Sequence, residues 1–258
     1  MGNDEFASQQ EAVATKGGLV VRYQRVEGKP TGKCAVLVGS DGERSLVASL
    51  GAAECYDAAH LDANWACVEA ARLVYISAFF MTHSAAVIMR VAKHCAEHGK
   101  TFAMNLAAPF IVQVPPFKAA LLEALPYIDL LVGNETEAAA FAASEGWAAT
   151  LSGSEIALRI AGMPKASGHR HRTVVITQGA QPTLVAAHGK VSSFPVLHLD
   201  KAQLVDTNGA GDAFVGGLLS QLVVGKGFDE ACRAGNYAAW TVIQRSGCTV
   251  PDAPTFVW

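Results

Sequence analysis

The chain has 258 residues, of which 51% are hydrophobic, and a formal net charge of −3. This size and composition suit one large α/β domain with a small appendage. The weak acidic balance gives no basic field for nucleic acid, and no apolar run approaches the ~18 residues of a membrane span. We therefore expect neither a nucleic-acid partner nor a membrane partner.

Cysteine usage and the amino terminus indicate the compartment. The six cysteines are scattered and form no C-x-x-C pair, which is typical of reduced thiols and disfavours a zinc ribbon. The polar first residues have the features of neither a signal peptide nor an Arg-rich transit peptide. We expect a cytoplasmic protein, with the nucleus or another reducing compartment left open.

The first fifth of the chain is predicted to form one helix and a run of antiparallel segments. Composition favours a helix at 1–18 and strands at 19–26, 32–39 and 44–53. The letters SDGE at 40–43 indicate a tight turn.

The remainder of the chain alternates short apolar strands with helices. Strands are expected at 71–80, 100–107, 128–134 and 172–179, a hairpin at 184–196, and helices at 84–98, 117–125, 135–146, 211–224 and 228–245. This alternation predicts a mostly parallel, doubly wound sheet covered by helices on both faces. Ligands of such sheets bind beyond the carboxyl ends of the strands, where Phe79, Asn105, Asn134, Gly179 and Asp206 are expected.

A glycine-rich loop, VDTNGAGDAFVGGLLSQL at 205–222, precedes the first of the last two helices. It is neither a Walker A loop nor G-x-G-x-x-G. The amides of residues 209–212 can converge on an anion at a helix start, and Asp212 beside them can take the proton of an alcohol during phosphoryl transfer. A capped helix with a first-turn acid explains the composition equally well. Gly216 and Gly217 each cost roughly 1 kcal/mol in a helix, which indicates close approach of a backbone or a ligand.

The letters DTNGAGDAF resemble the signature of the ribokinase-like (pfkB) carbohydrate and nucleoside kinases. NLAAPFI at 105–111 and LPYIDLLVGNETEAAAFA at 125–142 resemble the branch that phosphorylates adenosine. The resemblance implies a ribokinase-like α/β fold, with a partial helix and antiparallel β lid at 1–56 and a core at 57–258. It also implies transfer of the ATP γ-phosphoryl group to the 5′-hydroxyl of adenosine in purine salvage, giving AMP and ADP, with Mg2+ as cofactor and a monomer if the chain is complete.

Roles of individual residues follow from that resemblance. Asp212 would be the base, and Arg44 would reach the transferring phosphate. Gly209, Ala210 and Gly211 would form the anion hole, and Asn134 and Glu137 would organise Mg2+ and phosphate through water. Adenosine contacts would come from Cys34, Leu46, Ala48, Phe79, Phe110 and Asn208, and ATP contacts from Thr177, Gln178, Gly179 and Asn236.

Several alternatives stay open at the level of the residues. Asn134 and Glu137 also have the spacing of a helix capping box, and each apolar candidate taken singly is typical of a core residue. The whole chain fits a kinase of another nucleoside or a sugar, or a non-catalytic nucleotide-binding remnant. The resemblance also implies that about eighty residues precede Met1 in relatives, and a sheet without its central strands exposes unpaired edges and apolar surface. We therefore expect this chain alone to be unstable or weakly active.

Overall fold

The structure is a computed structural model, which describes residues 1–38, 44–166, 170–251 and 256. The chain divides into two compact units, Met1–Ala70 and Ala71–Trp258. The predicted boundary after residue 56 falls inside the first unit. Within the described ranges, no helix combines the length and the apolar character needed to cross a membrane.

In its described residues, the first unit contains three helices and one strand pair. Its elements are α1 Glu5–Lys16, β1 Lys33–Val38, β2 Arg44–Ser49, a 3-10 turn Gly51–Cys55, α2 Ala58–Ala63 and α3 Trp65–Ala70. Helix α1 begins after Asp4, whose carboxylate accepts the Ala7 N–H at 2.9 Å and two hydrogen bonds from Thr31. These bonds satisfy an otherwise free amide of the first turn. Strands β1 and β2 pair antiparallel, as predicted.

The predicted strand at 19–26 is wrong, and the predicted turn at 40–43 lies outside the described residues. Residues 19–26 contain no strand, and their backbone bonds go to loop and helix positions instead. The Leu19 N–H donates to Ala14 O, and the Val26 N–H donates to Met1 O. Val20 is 81% exposed. A β-prone composition forms a strand only where a second strand supplies a ladder, and the described residues supply none here.

The second unit is built on a six-stranded sheet. Its strands are β3 Leu73–Ile76, β4 Thr101–Asn105, β5 Leu130–Asn134, β6 Thr173–Gln178, β7 Gln181–Ala187 and β8 Lys190–Phe194. They lie side by side in chain order. Strands β3 to β6 are parallel, and β7 and β8 form an antiparallel hairpin at one edge. The predicted mostly parallel sheet and the predicted hairpin are confirmed.

Helices connect the parallel strands, and further helices follow the last strand of the sheet. They are α4 Met81–Glu97, α5 Phe110–Gln113, α6 Pro115–Ala124, α7 Glu135–Ser144, α8 Gly153–Ala161, α9 Ala210–Leu222 and α10 Phe228–Val242. The sequence reasoning did not predict α8. A capping box at Ser152 and Glu155 was the available local signal for it.

Side chains alternate between the two faces of the sheet. Val132 and Val175 belong to a buried cluster with Phe214, Val215 and Leu218 of α9. Their strand neighbours, such as Leu131, Val174 and Ile176, are also buried and therefore point to the opposite face, where α4, α7 and α8 contact the strands. The sheet is thus covered on both sides, and one cover is the helix that follows the glycine-rich loop.

Helices α9 and α10 approach closely at one of the two glycines flagged in the sequence. A Cβ at Gly217 would lie 2.5 Å from the carbonyl oxygen of Ala234, whereas a Cβ at Gly216 would meet no atom within 4 Å. The expected close backbone approach is therefore confirmed at Gly217. At Gly216 no backbone approaches among the described residues, and the approach of a ligand there stays a prediction.

A buried arginine immediately before β6 bonds to main-chain carbonyl groups from separate segments of the chain. Arg172 is 1% exposed, and its guanidinium donates to the carbonyl oxygens of Leu125 at 2.6 Å, Ile160 at 2.7 Å, Pro164 at 2.9 Å and Met163 at 3.1 Å. The guanidinium is the donor to the carbonyl groups of Met163 and Pro164, and it adds a second kind of donor at Leu125 and Ile160, whose carbonyl groups also accept main-chain N–H groups.

Candidate active site

The carboxyl ends of strands β3 to β6 meet at one edge of the sheet, because these strands are parallel. Beyond β3 lies a 3-10 turn, Ala78–Phe80. The Asn105 side chain at the end of β4 accepts the Ala78 N–H at 3.0 Å and so ties the two strand ends together. Ala107 follows with a φ of 64°, a conformation that strains a non-glycine residue and is enriched at functional sites.

The glycine-rich loop places unpaired main-chain N–H groups at the start of α9. Gly209 is the N-cap residue, with a φ of 75°, and the Asn208 N–H donates to Asp206 Oδ1 at 2.8 Å. The Ala210 N–H donates to Thr207 O at 3.3 Å. Among the described residues the N–H groups of positions 209, 211 and 212 have no acceptor. The predicted anion hole is therefore available from these three amides, while the amide of Ala210 is already engaged.

Asp212 lies in the first turn of α9 and is exposed. Its charge reaches Glu137, which lies in the first turn of α7, the helix after β5. Burial raises the pKa of the Glu137 carboxyl, the Asn134 N–H lowers it, and the charges of Glu135 and Asp212 raise it further. The two carboxylates, from two different helices, therefore lie within electrostatic reach of each other.

Asn134 and Glu137 form a complete capping box for α7. The Asn134 side chain accepts the Glu137 N–H at 2.8 Å, and the two carboxylate oxygens of Glu137 accept the main-chain and side-chain N–H groups of Asn134, each at 3.0 Å. The local explanation of this motif is confirmed, and the metal role is not excluded by it, since carboxylate oxygens have further lone pairs.

The donor chemistry at this edge fits a hydrated Mg2+ ion. Carboxylate and amide oxygens are the ligands of a hard cation that keeps part of its water shell, and Asp212 with Glu137 supplies negative charge. Within the described ranges no three His, Cys, Asp or Glu side chains cluster to hold a metal ion directly. The expectation that Asn134 and Glu137 hold Mg2+ through water stays a prediction.

Candidates at the end of β6 are partly engaged by the protein itself. The Gln178 amide donates to Pro182 O at 2.6 Å, and the Thr177 hydroxyl donates to Gly133 O at 3.4 Å. Gly179 is exposed and has a φ of 55°, so it presents its main chain without a side chain. The geometry offers the backbone of Gly179 to a ligand more readily than the Gln178 amide.

Asn236 lies inside the protein. It is 6% exposed; its side chain accepts the Thr183 hydroxyl at 3.0 Å and donates to Pro195 O at 3.0 Å. These bonds attach α10 to β7 and to the loop after β8. The structure gives this side chain two structural partners, and its contact with ATP stays a prediction.

An aromatic group lies beyond β3 and β4. The rings of Phe79 and Phe110 are 5.8 Å apart and are 49% and 38% exposed. The alternative that each of these two phenylalanines is a core residue is therefore wrong. Phe117 of α6 extends the group, with its ring 6.1 Å from that of Phe110. The sequence analysis did not predict that Phe117 belongs to this group. The available signal was its position seven residues after Phe110, which is about two helical turns. Exposed aromatic faces of this kind suit a flat, apolar ligand.

The remaining candidates belong to the first unit. Cys34 pairs with Ala48, and Val36 pairs with Leu46; directly opposed residues of antiparallel strands share one face, so Cys34, Leu46 and Ala48 lie on the same side of the strand pair. All three are exposed. Arg44 is the first residue of β2 and its backbone pairs with Val38.

These features together suit one kind of chemistry. Free amides at a helix start bind an anion, a carboxylate beside them accepts a proton from an alcohol, and exposed aromatic rings bind a planar group. A phosphoryl group, its alcohol acceptor and an aromatic base are the ligands with this combination.

Comparison with known proteins agrees with this geometry. The pfkB family of carbohydrate kinases matches residues 1–255, and the chain belongs to that family. Among individual relatives, adenosine kinase 1 of Arabidopsis thaliana is 51% identical over 258 residues, which cover 99% of this chain and 74% of the relative. The adenosine kinase of Schizophyllum commune is 38% identical over 263 residues and is likewise covered to 74%.

Solved structures give the same result for the fold. Anopheles gambiae adenosine kinase in complex with P1,P4-di(adenosine-5) tetraphosphate is 46% identical, with a TM-score of 0.92 over 99% of this chain and 75% of that one. Adenosine kinase from Schistosoma mansoni in complex with 2-fluoroadenosine is 33% identical, with a TM-score of 0.91 over 98% and 74%. A ribokinase from Thermotoga maritima shares the fold at a TM-score of 0.73 and 21% identity. The predicted ribokinase-like fold is confirmed.

Proposed function

We infer that this chain is an ATP-dependent phosphotransferase that moves the γ-phosphoryl group of ATP to the 5′-hydroxyl of adenosine, giving AMP and ADP. One observation carries the chemistry: Asp212 lies beside unpaired amides at the start of α9, and its charge raises the pKa of the buried Glu137 carboxyl. The 51% identity to a plant adenosine kinase supports the choice of acceptor.

The catalytic roles follow from this arrangement. Asp212 takes the proton of the 5′-hydroxyl as the phosphoryl group arrives, and the free amides of Gly209, Gly211 and Asp212 stabilise the charge on its oxygens. A guanidinium such as that of Arg44 suits the same charge. Glu137 and Asn134 would hold the water shell of Mg2+, which when bound offsets phosphate charge.

The remaining candidate residues are assigned to binding of the two substrates, adenosine and ATP. Phe79 and Phe110 stack on the adenine of adenosine, because their rings are exposed beside one another. Apolar contacts come from Cys34, Leu46 and Ala48, and Asn208 contacts either ligand. ATP is held at the end of β6 by the main chain of Gly179 and by Thr177 and Gln178, with Asn236 assigned to the same ligand.

The test measures AMP formation from ATP and adenosine, with inosine, guanosine and ribose as competing acceptors. Asp212→Asn should lower kcat by about 10²–10⁴-fold and leave adenosine affinity within about twofold, because the carboxylate acts on the proton rather than on binding. Asp229→Asn, a matched change in the first turn of α10, should retain activity.

Three results would contradict parts of the proposal. Faster turnover of ribose or another nucleoside would identify a different acceptor. Equal kcat for Asp212→Asn and the parent chain would remove the assigned base. Binding of adenosine without turnover in any variant would indicate a non-catalytic binding protein. The specific activity of the purified chain also tests the expectation that it is weakly active by itself, which stays a prediction.

A further inference from the structure

The 195–206 segment connects the end of β8 to the glycine-rich loop and contributes nothing to the core. None of its residues, all of which the structure describes, is buried. Its apolar side chains Leu197, Leu204 and Val205 are 48%, 45% and 56% exposed, and its regular structure is one 3-10 turn, Lys201–Gln203. A segment with few buried apolar contacts has low local stability. Hydrogen bonds to its surroundings therefore decide where it lies.

Two side chains of α10 bond to the main chain in the first part of this segment. The Asn236 amide donates to Pro195 O at 3.0 Å, and the Trp240 indole N–H donates to His198 O at 3.0 Å. Among the described residues, no other hydrogen bond joins positions 196–204 to the rest of the chain. Within that part of the chain, Trp240 is therefore the single hydrogen-bonded tether of the middle of the segment.

The far end of the segment continues directly into the proposed catalytic loop. The Ile243 carbonyl oxygen at the end of α10 accepts the N–H groups of Val205 at 2.9 Å and Asp206 at 3.1 Å. Asp206 Oδ1 in turn accepts the Asn208 N–H at 2.8 Å, and Gly209 follows as the N-cap of α9. A shift of the segment along α10 is therefore transmitted through these bonds to the unpaired amides at the helix start.

We propose that Trp240 is a positioning residue, whose indole N–H holds the 195–206 segment on α10 and thereby places the glycine-rich loop for phosphoryl transfer. This inference rests on the proposed function. The Trp240 ring stacks on that of Tyr237, with centroids 6.3 Å apart and planes at 26°, and this contact orients the N–H. Amides that stabilise a transferring phosphoryl group must be held in place in advance, and a displacement of about 1 Å can cost about 100-fold in rate. Trp240 touches neither substrate in this scheme and acts only through the segment.

Trp240→Phe removes the indole N–H and keeps an aromatic ring beside Tyr237. We expect kcat for adenosine phosphorylation to fall by about threefold to tenfold, because one hydrogen bond is lost. The KM for adenosine should stay close to that of the parent chain, since the rings assigned to adenosine, Phe79 and Phe110, lie beyond β3 and β4. The melting temperature should also stay close to that of the parent, because the segment is exposed. A role in packing alone would instead lower the melting temperature and leave kcat of the folded chain unchanged.

Trp147→Phe is the matched control. Trp147 follows α7, which begins at the carboxyl end of β5 and so ends toward the opposite edge of the sheet. Its ring packs against Phe141 with centroids 5.9 Å apart, and its indole N–H donates to no acceptor among the described residues. The same substitution therefore breaks no tether there, and kcat should match that of the parent chain.

A second measurement does not depend on turnover. Hydrogen exchange of the Val205, Asp206 and Asn208 amides, followed by NMR without substrates, should be about fivefold faster in Trp240→Phe and unchanged in Trp147→Phe. Unchanged exchange in Trp240→Phe would overturn the tether, and faster exchange with unchanged kcat would overturn the positioning role. A loss of kcat that merely follows a lower melting temperature would overturn it too. If the parent chain does not phosphorylate adenosine, the proposed function fails, and the exchange of these three amides alone decides whether Trp240 places the loop.

Discussion

The same substitution at two neighbouring glycines of α9 is predicted to change the free energy of unfolding by different amounts. In Gly217→Ala the new Cβ would lie 2.5 Å from the carbonyl oxygen of Ala234 and 2.8 Å from the Cα of Gly235. In Gly216→Ala the new Cβ would meet no atom within 4 Å. The first change therefore presses α9 against the backbone of α10, and the second only adds a methyl group to a helix.

The magnitude follows from two contributions. Replacing a helical glycine by alanine stabilises the folded chain by roughly 0.5–1 kcal/mol, and this gain is common to both variants. Overpacking costs about 1–3 kcal/mol, and it applies only at Gly217, where the opposing atoms are main chain and cannot rotate away. The free energy of unfolding of the two variants should therefore differ by about 1–3 kcal/mol, with Gly216→Ala the more stable.

Urea unfolding followed by far-UV circular dichroism measures this difference, with the parent chain as reference. Gly216→Ala should unfold at a higher urea concentration than the parent, and Gly217→Ala at a lower one than Gly216→Ala. Equal midpoints for the two variants would refute the reasoning, because they would mean that α9 and α10 separate without cost.

Three further changes test other parts of the structure. Gly209→Ala should lower the free energy of unfolding by about 1–2 kcal/mol, because φ is 75°, and should lower kcat/KM by about 100-fold. Adding Cys248→Ala to this variant should restore part of both losses, because the new Cβ at position 209 would lie 2.7 Å from the Cys248 sulfur. If the double variant recovers neither stability nor activity, that contact is excluded as a cause. Arg172→Met should lower the free energy of unfolding by about 2 kcal/mol, because the carbonyl groups of Met163 and Pro164 lose their donor and those of Leu125 and Ile160 lose one donor; a urea midpoint equal to that of the parent would contradict this. Hydrogen bonds from Thr31, first of all, hold the pKa of Asp4 at about 2, below its ordinary 3.8, so its contribution to stability is complete above pH 3.8 and lost as the pH falls through about 2. Thermal unfolding between pH 4 and pH 2 should therefore decline less steeply for Asp4→Asn than for the parent, and parallel curves would exclude the role of Asp4.

Local patterns in the sequence predicted most of the second unit. The strands beginning at Leu73, Thr101, Leu130 and Thr173 were found because buried parallel strands are short apolar runs with helices between them. The capping box of Asn134 and Glu137 and the helix start after Gly209 were also found, since both depend on residues that are neighbours in the chain. Residues 19–26 were misassigned because a strand requires a partner that no local pattern specifies.

The sequence by itself determined the parallel strands and most helices of the second unit and the loop that carries the proposed base, because these properties depend on side-chain periodicity and on glycine within a few residues. Only the tertiary structure decided that the charge of Asp212 raises the pKa of Glu137, that Asn236 is bonded to Thr183, and that Gly217 rather than Gly216 meets α10. These relations join residues far apart in the chain. They are fixed by how the helices pack on the sheet, which depends on the combined fit of many side chains rather than on any single motif.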